Sequence, residues 1–119
     1  MLKEKVRAYC KAGENCSRII LQAAAEEYGI FLSEEVLAVC GGINGGFGIG
    51  GICSGLVASI MVLGLLFDED AVKMKRILFL IKVQERFGCL DCCRLSSLDK
   101  DCCAVLEGIG EILQEVIEE

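Results

Sequence analysis

The sequence predicts an all-α fold, a compact bundle of about six helices with a glycine-rich loop at 41–51. Apolar residues recur at three- and four-residue spacing along most of the chain, which is the helical period. Glycines stand where several of these stripes stop, as they do at helix C-termini. A serine followed by two acids, Ser33-Glu34-Glu35, has the form of a helix start.

The elements follow in order. Residues 2–12 carry a short stripe, Leu2, Val6, Tyr9 and Cys10, with Gly13 as its stop. "ENCSRIILQAAAEEYG" places Ile19, Ile20, Ala23, Ala24 and Tyr28 on one face and ends at Gly29. Ser33 is the predicted N-cap of the next helix, with Glu34 and Glu35 in the first turn, where the helix macrodipole favours negative charge. That helix runs through Val36, Leu37 and Cys40 into the glycine loop. A buried helix is predicted near 51–67, with the acidic run "DED" as its stop. Residues 70–87 are the next, with Val72, Met74, Ile77, Leu78, Ile81 and Phe87 expected inward and Gly88 as the stop. Lys73, Lys75, Arg76, Lys82 and Arg86 make it basic, which is read as a solvated face rather than an anion site. The last helix, about 100–117, carries Cys102, Leu106, Ile109, Leu113 and Val116 on one stripe.

At 119 residues the chain, 1–119, is expected to be a single domain with its own core. Its composition, 54% hydrophobic, excludes a disordered chain. A net charge of −6 would be repelled by a phosphate backbone, so nucleic acid is not an expected partner. The N-terminal "MLKEKVRAYCKAGE" has charges throughout and no apolar core, unlike a secretion signal. A cytoplasmic, reducing location is therefore expected, where structural disulfides are rare. The odd count of nine cysteines also fits a fully paired framework poorly. Val36 to Phe67 is uncharged, but seven glycines between Gly41 and Gly51 would break a spanning helix there. The remaining stretch, Ile52 to Phe67, gives roughly 24 Å of helix against a ~30 Å hydrocarbon core. A buried core helix, and no membrane span, is the expectation.

"GFGIGG", residues 46–51, matches G-x-G-x-x-G through Gly46, Gly48 and Gly51. A dinucleotide site needs that pattern after a strand and within a βαβ unit. Here a capped helix precedes it, so NAD is not expected. The glycines allow sharp turning and close approach. They also leave room, with exposed N–H groups, beside whatever Cys53 holds, which makes Gly48, Gly50 and Gly51 candidate cofactor-facing positions.

Cysteine supplies the remaining chemistry. "GCLDCCRLSSLDKDCC" holds Cys89, Cys92, Cys93, Cys102 and Cys103, while Cys10, Cys16, Cys40 and Cys53 lie upstream. Cys16, Cys53 and Cys103 each fall in the first turn of a predicted helix. Unpaired N–H groups and the positive end of the macrodipole stabilise a thiolate there. Cys10 and Cys40 sit on apolar stripes near helix ends and read as small buried side chains. With no histidine, zinc would need cysteine or carboxylate ligands, and Cys89-x-x-Cys92 has no second C-x-x-C to match it. Cys92 is followed by Cys93, so the C-x-x-C-H haem attachment pattern is absent. Iron–sulfur clusters take thiolates from scattered positions. Dithiol–disulfide chemistry would use the same thiols, with Cys92/Cys93 and Cys102/Cys103 as candidate partners.

From about Gly13 onward the chain resembles the redox-active proteins called C-GCAxxG-C-C. The likeness is carried by "NCSRIILQAAAEEYG", "GGFGIGGICSGLVASIMVLGLLF", "ERFGCLDCCRL" and "CCAVLEGIGEIL". By this resemblance the site cysteines are Cys16, Cys53, Cys93 and Cys103, with Cys92, Cys102 and Cys89 as alternates. The family's CGAxxG reads Cys53-Ser54-Gly55-Leu56-Val57-Ala58 here, with small residues kept at 54, 55 and 58. The family is similar to the N-terminal region of split-Soret cytochromes, which implies an iron–sulfur site on a dimeric helical fold, without the haem-bearing part.

The leading expectation is a redox protein whose four cysteines converge on an iron–sulfur cluster used in electron transfer with a redox partner the sequence does not name. A cofactor-free thiol–disulfide protein using the same cysteines is the alternative, and a structural zinc module the third. A homodimer is expected, because a 12.9 kDa globule can hide only part of so much apolar area. The uncharged Val36–Phe67 stretch is the expected place for the excess.

Overall fold

Helices start and stop where local backbone chemistry dictates. The computed structural model describes residues 1–10, 15–96 and 103–119, with the backbone alone at Cys93 and Ser96. Among the described residues the α-helices are α1 (Leu2–Cys10), α2 (Cys16–Tyr28), α3 (Glu34–Val39), α4 (Ser54–Leu66), α5 (Glu69–Phe87), α6 (Cys92–Ser96) and α7 (Cys103–Glu118). The fold is all-α. Ser33 Oγ accepts a hydrogen bond from Val36 N at 3.2 Å and starts α3 as the sequence predicts. Asp68, expected as part of a stop signal, instead starts α5 by accepting from Ala71 N at 2.9 Å. Gly29 and Gly88 close α2 and α5 in the left-handed region, at φ 67° and 77°, where a side chain would be strained. The predicted stop at Gly13 and the position of Cys102 lie outside the described residues.

The core forms where α7 meets α1, α4 and α5, and where α2 packs on α4. Leu106, Ile109, Leu113 and Val116, the predicted stripe, are all buried on α7. Two glycines on that helix let its neighbours come close. A Cβ at Gly110 would stand 3.0 Å from Val6 of α1, and one at Gly108 would stand 2.7 Å from the Phe87 ring of α5. Small residues serve the α2–α4 contact in the same way: Ala23 and Ala24 on one side, Gly55, Ala58 and Ser59 on the other, are buried. Ser59 donates to the Gly55 carbonyl at 2.8 Å, so its burial leaves no donor unsatisfied.

Charge frames this core. Lys82 reaches Glu115 and Glu119, each at 3.5 Å, and Arg86 reaches Glu111 at 2.9 Å. Lys75 donates to the Val116 carbonyl at 3.0 Å, near the negative end of α7. Much of the basic face of α5 therefore meets the acidic face of α7 and is not merely solvated. Glu119 chiefly, with Glu115, holds the Lys82 ammonium above its ordinary range. On the opposite flank, Arg7 of α1 binds Glu107 at 2.8 Å.

Three inward assignments are corrected. Met74, Ile77 and Ile81 of α5 point outward, at 76%, 57% and 49% exposure, while Phe79 and Val83 enter the core. The helix is apolar on two faces, and the face that turns in lies beside its ion pairs with α7. The uncharged α4 is covered on nearly every face within one chain, with only Gly64 and Leu65 open. No helix among the described residues is long and apolar enough to cross a membrane.

Tyr28, at the end of α2, gives a pH-dependent handle on this packing. Its buried hydroxyl has no hydrogen-bond partner among the described residues. Burial, then the charges of Glu118 and Glu27, push its pKa up to about 12 from an ordinary 10.0. The unfolded chain thus loses this proton first as pH rises, so folding stability falls between those two values and is unaffected below them. Tyr28→Phe should remove that part of the fall and leave neutral-pH stability unchanged or raised by about 1 kcal/mol. Urea titrations at neutral and alkaline pH measure both effects.

Candidate functional site

Three chain segments build the site, and each is fixed by hydrogen bonds to the main chain. Asn15 caps α2: its Oδ1 accepts from Ser17 N at 2.9 Å and from Ser17 Oγ at 2.6 Å. Its Nδ2 donates to the Cys40 carbonyl at 3.2 Å, tying the start of α2 to the turn at Cys40–Gly42. Cys16, the first residue of α2, is thereby held in place.

The glycine loop then folds back on itself. Gly51 N donates to the Gly46 carbonyl at 3.0 Å, and a Cβ at Gly46 would sit 2.5 Å from Gly51 backbone atoms. Gly46 itself has φ 62°, so both conformation and space require glycine there. Phe47 also lies in the left-handed region, at φ 65°.

The end of this loop pairs with the segment before α6. Cys53 N donates to the Leu90 carbonyl at 3.0 Å, Cys92 N donates to the Gly51 carbonyl at 2.7 Å, and Ile52 bridges Asp91 in antiparallel fashion. These bonds set Cys53, the N-cap of α4, beside the start of α6, where Cys92 is the first residue. Cys53 is thus one position ahead of the first turn in which the sequence placed it.

Cys16, Cys53 and Cys92 line one cavity of about 70 Å³. Asn44 and Gly45 contribute the loop wall, and Leu95, Val105 and Leu106 the apolar wall. Gly48, Gly50 and Gly51, the loop positions singled out in the sequence, are not among the lining residues; Gly51 acts through its carbonyl instead. Gly55 protects the space. A Cβ there would stand 2.9 Å from Leu106 Cδ2 and 3.6 Å from the Cys53 sulfur. A larger hollow of about 250 Å³ lies beside Met1 and Gln114, but no cysteine lines it.

The other cysteines divide. Cys40 is fully buried and donates weakly to the Val36 carbonyl, as a small core side chain would. Cys89 is buried and bonded to the Phe87 carbonyl, away from the cavity. Cys93 belongs to α6 by its backbone, and its side chain, like the whole of Cys102, lies outside the described residues. Cys103 opens α7 as predicted but is disulfide-bonded to Cys10, 93 residues away, with 6.0 Å between their Cα atoms. This corrects the reading of Cys10 as a simple buried side chain and the low expectation for disulfides. Docking of α1 on α7 creates the pair, and spacing along the chain carries no trace of it. Among the described residues no three His, Cys, Asp or Glu side chains gather as a metal-ion site.

The fold thus brings cysteines from the starts of α2, α4 and α6 to one largely apolar cavity. Residues 14–116 match the family described as Putative redox-active protein (C_GCAxxG_C_C), and the chain belongs to that family. No curated protein and no solved structure matches the chain.

Because the loop positions Cys53 through its closure on Gly46, Gly46→Ala tests the construction of the site. A left-handed conformation costs a Cβ-bearing residue about 1–2 kcal/mol, and displacing Gly51 adds to this. Chemical denaturation should register a loss of about 2 kcal/mol or more, with faster alkylation of Cys53 in the native protein.

Proposed function

We propose that the chain is an electron-transfer protein whose working site is the cysteine-lined cavity, with an iron–sulfur cluster as its cofactor. The observation that carries this reading is the meeting of Cys16, Cys53 and Cys92 on one cavity from the starts of three helices. The donor set is all sulfur, which suits such a cluster and needs no histidine. When bound, a cluster supplies one-electron transfer.

The chain's own residues have distinct parts in this reading. Cys16 and Cys53 would hold such a cluster together with a cysteine of α6, Cys92 or its neighbour Cys93. Cys103 can serve as a ligand only when its bond to Cys10 is reduced, since a disulfide sulfur is not a thiolate. Leu95, Val105 and Leu106 limit water around the sulfurs, which tunes the potential of any group held there. Asn15 and the Gly51 carbonyl fix the helix starts that present the thiols.

The Cys10–Cys103 disulfide favours a second reading, in which the same thiols work by dithiol–disulfide exchange without a cofactor. Visible spectra with iron, sulfide and zinc analysis of protein purified without oxygen separate the possibilities. A brown protein with matching iron and sulfide, bleached by Cys16→Ser, is the expected result. A colourless protein whose thiol count follows the redox buffer would carry the second reading, and stoichiometric zinc a structural metal site.

The homodimer belongs to the same proposal: Val39, Phe47, Ile49 and Leu65 stay exposed in the expected Val36–Phe67 stretch, and α5 adds a second apolar strip as a seam. Met74, Ile77 and Ile81 are exposed there at spacings of three and four, the pattern by which one helix packs on another. Light scattering should give twice the 12.9 kDa chain mass, and Met74→Glu with Ile77→Glu should return the single-chain mass.

A further inference from the structure

We propose that Cys10 and Cys103 form a reversible dithiol–disulfide couple, a modification site distinct from the cavity, open to small-molecule and protein thiols. Cys10 stands outside the residues that match the family, 14–116, so this pair is an addition to the family's cysteine pattern.

The geometry separates the bond from the docking of the helix that bears it. Leu2 and Val6 of α1 are fully buried, and burial of such side chains contributes about 1.5–3 kcal/mol each. The buried Gln114 of α7 accepts a hydrogen bond from Leu2 N at 2.9 Å, satisfying a donor at the start of α1. Arg7 holds Glu107 through two nitrogens, at 2.8 and 3.1 Å. Gly110 leaves the room Val6 occupies. These contacts run the length of α1 and none needs the disulfide. Cys10 is therefore presented to Cys103 whether or not the bond exists, so the two thiols of the reduced form remain near one another. A structural staple, by contrast, would be the thing that holds the helix.

Neither cysteine is fully buried, and the couple requires an external thiol to reach the bond from that exposed side. Reduction follows ordinary exchange. A thiolate attacks one sulfur, the S–S bond breaks, and a mixed disulfide forms as the other cysteine leaves as a thiolate and takes a proton. A second reductant thiol resolves it, giving two protein thiols and one reductant disulfide, with two electrons transferred. Oxidation by a small-molecule disulfide runs the same steps backwards. Cys103 lies two and three residues before Val105 and Leu106, which wall the cavity, so the couple sits at the end of the helix that bounds the cysteine site.

The full-length protein, equilibrated in reduced and oxidised glutathione and then alkylated, tests this by peptide mass mapping. In the oxidised wild type Cys10 and Cys103 should resist alkylation, and both should become labelled as the buffer turns reducing, with an unchanged far-UV circular dichroism spectrum. Reoxidation should restore the protection. In oxidised Cys10→Ser, Cys103 should label at least about tenfold faster than in the wild type. Cys103→Ser should do the same for Cys10, giving an independent reading if the first variant folds poorly. The proposal is overturned if helicity is lost on reduction, if the bond survives a fully reducing glutathione buffer, or if Cys103 labels equally in wild type and Cys10→Ser. Iron analysis of the same samples keeps the two readings apart, because a Cys103 held by a cluster would resist labelling only in reduced protein that still carries iron, whereas Cys10 labels in either case.

Discussion

The close approach of α1 and α5 to α7 is the constraint on which the rest of the structure depends. Gly108 and Gly110 are two residues apart on α7 and open its surface toward α5 and α1. A Cβ at Gly108 would clash with the Phe87 ring, and one at Gly110 would crowd the Val6 side chain. Between these two contacts α7 turns Leu106, Ile109 and Leu113 into the core. Its acids then meet arginine and lysine from both neighbours. Exposed ion pairs contribute little individually, and on α5 they accompany the burial of Phe79 and Val83 and the seating of Phe87 against Gly108.

The cysteine cavity is a consequence of this frame. Leu106 is shared: it packs in the core, bounds the cavity, and lies against the space that Gly55 leaves empty. Cys53 reaches the same place through the loop, whose closure on Gly46 converts a stretch without regular structure into a fixed support. Backbone bonds from Gly51 and Cys53 then position the start of α6. The thiols are placed by main-chain geometry at helix starts, so their positions tolerate substitution among the small residues around them better than loss of the loop's closure. Ser54 and Ala58, both small, remain buried in this close space.

The outward apolar stripe of α5 and the tethered α1 are the two features that the family's cysteine pattern does not account for. The first lies on the side of α5 turned away from the core. The second joins the first helix to the last across nearly the whole sequence. Both depend on α7, one through the packing of α5 on it and the other through Gly110 and Gln114.

Local chemistry by itself determined the all-α class, the cap at Ser33, the stops at Gly29 and Gly88, and the buried stripe of α7. Each of these depends on residues within a turn or two, so spacing along the chain is sufficient. The sequence also placed Cys16, Cys53 and Cys103 at or beside helix starts, because glycine and capping signals mark those starts. Only the tertiary structure decided which loop positions line the cavity, which face of α5 is buried, and that Cys10 meets Cys103. Those outcomes rest on contacts between distant elements. Asn44 and Gly45 line the cavity because Gly46 turns the loop back at that point, and no local pattern encodes the direction. Met74, Ile77 and Ile81 have the same periodicity as a core stripe, and only the packing of α5 on α7 distinguishes the two faces. The disulfide requires α1 to lie on α7, a pairing set by Val6 fitting against Gly110 over a separation of more than a hundred residues.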